Sequence, residues 1–167
     1  MGAGKSTVGR ALAARLGTTF LDNDEYLEGH SGRTAAEIAT SDGADALHRA
    51  EAAGLLAALT GDPTGVVAGV VAAAGSVVDD EAVRARLARD DVTVVWLRAH
   101  PSTLRRRALS GSHRPFVHGD PSTLTRIDTA RRPHYTALAD VVVDVDEQSP
   151  SEIVDEIAPL VGGSVAG

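Results

Sequence analysis

The chain has 167 residues, 43% of them hydrophobic but only 3% aromatic, with a formal net charge of −7. That length accommodates one domain whose core must be built from alanine, valine and leucine, and the acidic balance argues against general nucleic-acid binding. The absence of cysteine excludes disulfides, a thiolate nucleophile and Cys-ligated zinc, and no apolar run is long enough to span a membrane.

The opening residues, Met1-Gly2-Ala3-Gly4-Lys5-Ser6-Thr7, read as the second half of a phosphate-binding loop, G-x-x-x-x-G-K-[ST], running into a helix. Gly2 and Gly4 let the backbone turn its N–H groups around a polyphosphate. Lys5 then reaches the outer phosphates, the Ser6 hydroxyl suits Mg²⁺, and the helix start adds its positive dipole end. The alternative is a flexible, glycine-rich terminus. From Ser6, apolar Val8, Leu12 and Leu16 recur every four residues, and Gly17 closes the helix.

Thr18 to Leu21 reads as a short strand ending in Asp22-Asn23-Asp24, where α/β sheets bind ligands. Once the strand bends, the two carboxylates can serve different partners, one a metal and one a substrate; the competing reading is an Asx turn or a helix cap. Gly29 to Gly32 reads as a turn, and Thr34 with Glu37 as the capping box of a short helix through Ile38. A longer helix over 45–59 carries His48 and Glu51 three apart on one face, a spacing that also suits an ordinary solvated pair. Val66 to Val71 reads as a buried strand ending in Ala72-Ala73-Ala74-Gly75, followed by a helix over 80–89 and a strand over 92–97. The lone Trp96 in that strand reads as packing.

Pro101 opens a helix ending in Arg105-Arg106-Arg107. Residues 110–121, punctuated by glycine and proline and carrying Arg114, read as a mobile loop able to close as a lid; its arginine suits a transferring phosphoryl group or merely a solvated face. A helix over 122–130 leads to Arg131-Arg132-Pro133-His134-Tyr135, then a strand over 141–145. Ser149, Pro150 and Glu152 form an N-cap, a first-turn proline and a capping-box glutamate for a helix to Val161, with 162–167 a flexible tail. Strands alternating with helices predict an α/β architecture: a parallel sheet with helices on both faces, in a single domain.

The order of these motifs resembles the shikimate kinase family over essentially the whole length. The match runs from M-G-A-G-K-S-T-x-G-R through F-x-D-x-D, a G-x-[ST]-[IA]-x-E-I segment, D-G, a helix carrying glutamate, an R-P lid, R-x-P-x-Y and a V-x-V-D strand. The resemblance implies a three-layer P-loop kinase fold and ATP-dependent phosphorylation of shikimate to 3-phosphoshikimate with Mg²⁺, by a cytoplasmic monomer that engages neither nucleic acid nor membrane. By the same resemblance Gly2, Ala3, Gly4, Lys5, Ser6 and Thr7 hold the nucleotide phosphates, and Ser6 and Asp22 serve Mg²⁺. Asp24 orients or deprotonates the attacking hydroxyl, Arg114 meets the phosphoryl group, and Arg131 pairs with the substrate carboxylate. Arg107 and Pro150 pack on adenine, while His48 and Gly75 stand at substrate positions.

Departures from the family pattern cluster on the acceptor side. Leu47-His48-Arg49-Ala50-Glu51 stands where the family has F-R-x-x-E, Ala73-Ala74-Gly75 stands for G-G-G, and Ala39 and Leu47 replace pocket phenylalanines. Neutral histidine is a poor substitute for a bidentate guanidinium, and Arg49 points about 100° away around the helix. A kinase for another small anionic acceptor, or a nucleotide-binding paralogue without kinase activity, are the alternatives these changes raise. The first central strand of the family's sheet and the first loop glycine have no counterpart, and the expectation is a natural start upstream of Met1.

Overall fold

The computed structural model describes residues 2–61, 69–109 and 122–161. The elements run α1 (Lys5–Leu16), β1 (Phe20–Asp22), α2 (Asn23–Ser31), α3 (Ala35–Asp42), α4 (Ala44–Thr60) and β2 (Val70–Ala72). After a 3-10 turn at Val77–Asp79 come α5 (Glu81–Leu87), β3 (Val95–Arg98), α6 (Pro101–Leu109), α7 (Ser122–Leu138), β4 (Val141–Asp144) and α8 (Pro150–Val161).

All strand pairing among the described residues is parallel. β1 pairs with β2, Phe20 opposite Val70 and Asp22 opposite Ala72, and β3 pairs with β4, Val95 opposite Val141 and Arg98 opposite Asp144. Parallel neighbours need crossovers, and helices supply them: α2, α3 and α4 between β1 and β2, and α6 and α7 between β3 and β4. The two pairs form separate sheets. Between β2 and β3 lies a cavity of about 400 Å³, bordered by Val70, Val71, Val95, Trp96 and Leu97, with α1 residues Val8 and Leu12 along one wall.

The pleat assigns side chains to two apolar layers. Val70, Val95 and Leu97 pack against Val8 and Leu12 of α1, Val143, and Ile153, Val154 and Ile157 of α8. Val71, one residue on, turns to the opposite layer with Ala52 and Leu55 of α4, Val77, Val78 and Val83. Trp96 faces that second layer and packs on Tyr135, ring centroids 5.4 Å apart, in keeping with a packing role. A third cluster joins Leu27, Ile38 and Leu47 across α2, α3 and α4. Each fully buried Leu, Ile or Val contributes roughly 1.5–3 kcal/mol.

Several boundaries differ from the pattern reading. The turn expected at 29–32 is the last turn of α2, because Gly32, at φ 66, supplies the left-handed closing residue and Gly29 is tolerated inside. The helix expected to stop at Ala130 continues to Leu138 with Pro133 inside it, so α7 carries the Arg131–Tyr135 motif on one rod. α3 runs past Ile38 to Asp42, where Gly43, at φ 90, ends it. The valine-rich strand is Val70–Ala72; residues 66–68 of its expected span lie outside the described residues, as do 110–121, where a lid is expected, and 162–167, where a flexible tail is expected.

Candidate active site

The phosphate loop is shaped by two glycines with left-handed backbone, Gly2 at φ 77 and Gly4 at φ 88. A Cβ on Gly2 would sit 2.7 Å from the Leu104 carbonyl oxygen, so α6 closes over the loop only because no side chain intervenes. Gly4 caps α1 without a side-chain hydrogen bond, and the first turn of α1 carries no acidic residue. That end of the helix is therefore suited to an external anion, its N–H groups and dipole meeting no carboxylate from its own first turn. Lys5 is half-buried and, with Ala3, lines the cavity; Ser6 and Thr7 are exposed.

Asp22 and Asp24 part company where β1 becomes α2. Asp22, the last residue of β1, is buried and caps α2, its Oδ1 accepting the Asp24 N–H at 3.0 Å. Asp24 is exposed in the first turn of α2. The helix-cap reading of this stretch is thus realised, and it leaves Asp22 buried and Asp24 exposed. Beneath them Asn23 is buried and donates to the Glu51 carbonyl at 3.1 Å, tying α2 to α4.

Glu51, on α4, is buried. The Ser76 hydroxyl donates to its carboxylate across a short contact between α4 and the segment after Gly75. Burial pushes the Glu51 carboxyl above the usual carboxylate range; the Ser76 hydrogen bond opposes this, the Asp24 charge adds to it, and His48 and Arg131 oppose it. Asp24, His48 and Arg131, on α2, α4 and α7, therefore all act on one group. Arg131 grips Asp79, its Nε 2.9 Å and Nη2 2.6 Å from Asp79 Oδ2. Tyr135, one turn further along α7, donates to the Gly75 carbonyl at 2.8 Å. A Cβ on Gly75 would lie 3.3 Å from the Tyr135 hydroxyl and 4.0 Å from Arg131 Nη1, so glycine keeps this corner open.

Of the positions that depart from the expected motif pattern, Leu47 is buried in the third apolar cluster with Ala39 packed beside it, so both serve the packing of α2, α3 and α4. Ala73 and Ala74 pack against the second layer and line the cavity. On the opposite edge, Arg107 donates to the Val145 carbonyl at 2.7 Å and the Asp146 carbonyl at 3.3 Å, just ahead of the exposed Pro150 that starts α8. Both adenine candidates thus belong to one edge. Arg114 lies outside the described residues. Motif reading overlooked Ser76 and Asp79; each stands beside a quoted motif, but only the fold brings them to Glu51 and Arg131.

Among the described residues no three His, Cys, Asp or Glu side chains converge as a metal cage. The exposed Ser6 hydroxyl and the Asp22 carboxylate, one of whose oxygens caps α2, are the kinds of oxygen donor that suit Mg²⁺ completed by water and phosphate oxygens.

The sequence model of the family described as "Shikimate kinase" matches residues 1–161. A shikimate kinase of Symbiobacterium thermophilum is 40% identical over 161 residues, covering 94% of this chain and 89% of that protein. One of Thermobifida fusca is 37% identical over 158 residues, covering 94% and 88%. Among solved structures, the shikimate kinase from Acinetobacter baumannii in complex with shikimate matches with a TM-score of 0.86 at 26% identity, over 100% of this chain and 91% of that one. The enzyme from Aquifex aeolicus, at 24% identity and a TM-score of 0.71, matches in fold.

Proposed function

The chain belongs to the shikimate kinase family, and from that premise we propose that it transfers the γ-phosphoryl group of ATP to a hydroxyl of shikimate, with its own residues in the following roles. Gly2, Ala3, Gly4 and the first turn of α1 cradle the phosphates, and Lys5 neutralises charge on the transferring group. Asp24 accepts a hydrogen bond from the attacking hydroxyl and takes its proton as the new P–O bond forms and the bond to the β-phosphate breaks. Arg131, with Gly75 and His48 nearby, receives the acceptor carboxylate, and Arg107 and Pro150 flank the adenine. Arg114 belongs to the lid that compensates charge in the transition state. Mg²⁺, held by Ser6 and by Asp22 through water, would screen the phosphate oxygens when bound. No helix among the described residues is long and apolar enough to cross a membrane; a cytoplasmic monomer is the reading we adopt.

The observation that carries this reading is one arrangement. Ala3 and the half-buried Lys5 of a glycine-shaped helix N-terminus line one cavity with Gly75, Tyr135 and Arg131, whose guanidinium pairs with the Asp79 carboxylate. A loose phosphoryl-transfer state needs such positioning and charge compensation more than covalent help. Shikimate-dependent ADP release tests it. Lys5→Ala and Asp24→Asn are expected to lower kcat by about 10²-fold or more. Wild-type rates in both variants would overturn these roles.

A further inference from the structure

Two adjacent aspartates close the 3-10 turn after Gly75, Asp79 as its last residue and Asp80 as its cap, and they do different work. Asp80 turns back to cap α5, its Oδ1 accepting the Val83 N–H at 3.0 Å. Asp79, not needed for the cap, reaches α7 instead. Its carboxylate takes the Nε and Nη2 side of the Arg131 guanidinium, with contacts of 2.6, 2.9 and 3.2 Å. The Arg131 side chain is 15% exposed and Asp79 44%, so a well-shielded cation is paired with a carboxylate open to solvent. The nitrogen that Asp79 does not engage, Nη1, faces Gly75, at the corner shared with Tyr135.

We propose that Asp79 is an internal counter-ion that sets acceptor affinity: it covers one side of the Arg131 guanidinium and places a second negative charge beside the spot where the acceptor's carboxylate must dock. This rests on the reading that Arg131 receives that carboxylate. An arginine presents several edges, and one carboxylate on the Nε side leaves the Nη1 side, where the Tyr135 hydroxyl also hydrogen-bonds the guanidinium, to receive another. The second anion then meets a guanidinium whose charge is already compensated, with a like charge a few ångströms off. Glu51 and Asp24, which act on each other's charge, add to the negative field at this end of the molecule. Asp79 thus trades affinity for an arginine held in one orientation.

The test is shikimate binding by calorimetry, with KM in parallel, for the wild-type chain, Asp79→Asn, Asp79→Glu, Arg131→Ala and the double variant Asp79→Asn/Arg131→Ala. Asparagine keeps the shape and one acceptor oxygen but removes the charge. Asp79→Asn is expected to lower both Kd and KM by about two- to fivefold, with a steeper loss of affinity on adding salt. Asp79→Glu, which keeps the charge, is expected to stay near wild type, and the methyl ester of shikimate is expected to bind Asp79→Asn and wild type alike. Arg131→Ala is expected to raise Kd tenfold or more and to abolish the effect of the second substitution. An unchanged or higher Kd in Asp79→Asn, with Arg131→Ala still weakened, would overturn this proposal alone. An unchanged Kd in Arg131→Ala would overturn the reading of Arg131 beneath it, and absence of shikimate binding by the wild-type chain would overturn both.

Discussion

Glu51 ties α4 to the segment after Gly75 through the Ser76 hydroxyl, and its burial gives it a pH signature. Its carboxyl is pushed up chiefly by desolvation, with Asp24 adding to the shift and Ser76, His48 and Arg131 opposing it. A carboxyl that holds its proton more tightly when folded than when unfolded favours the folded state at low pH. That contribution is lost as pH rises from the usual glutamate range through the raised value. Glu51→Gln keeps a partner for the Ser76 hydroxyl and removes the titration. The Tm of Glu51→Gln relative to wild type is therefore expected to climb as pH is raised from about 4 to 8. A Tm difference that stays constant across that range, followed by circular dichroism, would show that Glu51 does not titrate abnormally. At this scale Asp22 also matters, since a carboxylate already spent on a helix cap presents a different oxygen to anything else it holds.

Among the elements, α3 shows how local chemistry sets a boundary. Its capping box is complete: Thr34 Oγ1 accepts the Glu37 N–H at 3.2 Å, and Glu37 Oε2 accepts the Thr34 N–H at 2.7 Å. The helix spans only Ala35–Asp42 and buries Ile38 against Leu27 and Leu47, so its start has little else to hold it. Thr34→Ala is expected to cost about 1 kcal/mol, seen as a Tm drop of roughly 2–4 °C, while Thr34→Ser stays within about 1 °C of wild type. Equal losses in both variants would place the effect in packing of the threonine methyl group. This box was legible in the sequence because it depends on residues three apart. The continuation of α7 through Pro133 was not: proline reads as a stop, and only packing of Tyr135 against Trp96 and the second apolar layer shows why the helix persists.

At the scale of the whole molecule, the sheet is divided. β2 and β3 border one apolar cavity, with Ala3 and Lys5 of the phosphate loop lining it as well. Both bordering strands belong to parallel pairs, which normally lie inside a sheet rather than at its edges. An apolar, β-branched segment of about six residues fused ahead of Met1 is expected to enter this slot as a strand. The expected readouts are a higher Tm and reduced binding of the dye ANS. Unchanged Tm and dye binding in the fusion would mean that the cavity does not accept a strand.

What the sequence by itself determined is whatever rests on near neighbours: the phosphate loop, the amphipathic helices, the caps at Thr34 and Ser149, and the parallel α/β order. These are written in spacings of two to four residues, and the motif order added the family and with it the expected roles of Lys5, Asp24 and Arg131. Only the tertiary structure decided that Ser76 donates to Glu51, that Asp79 rather than Asp80 takes Arg131, and that Leu47 and Ala39 pack among helices. Those partners lie 25 and 52 residues apart in two of the three cases. Side chains with several possible partners are assigned by the packing that brings one of them within reach, and no local spacing records that choice.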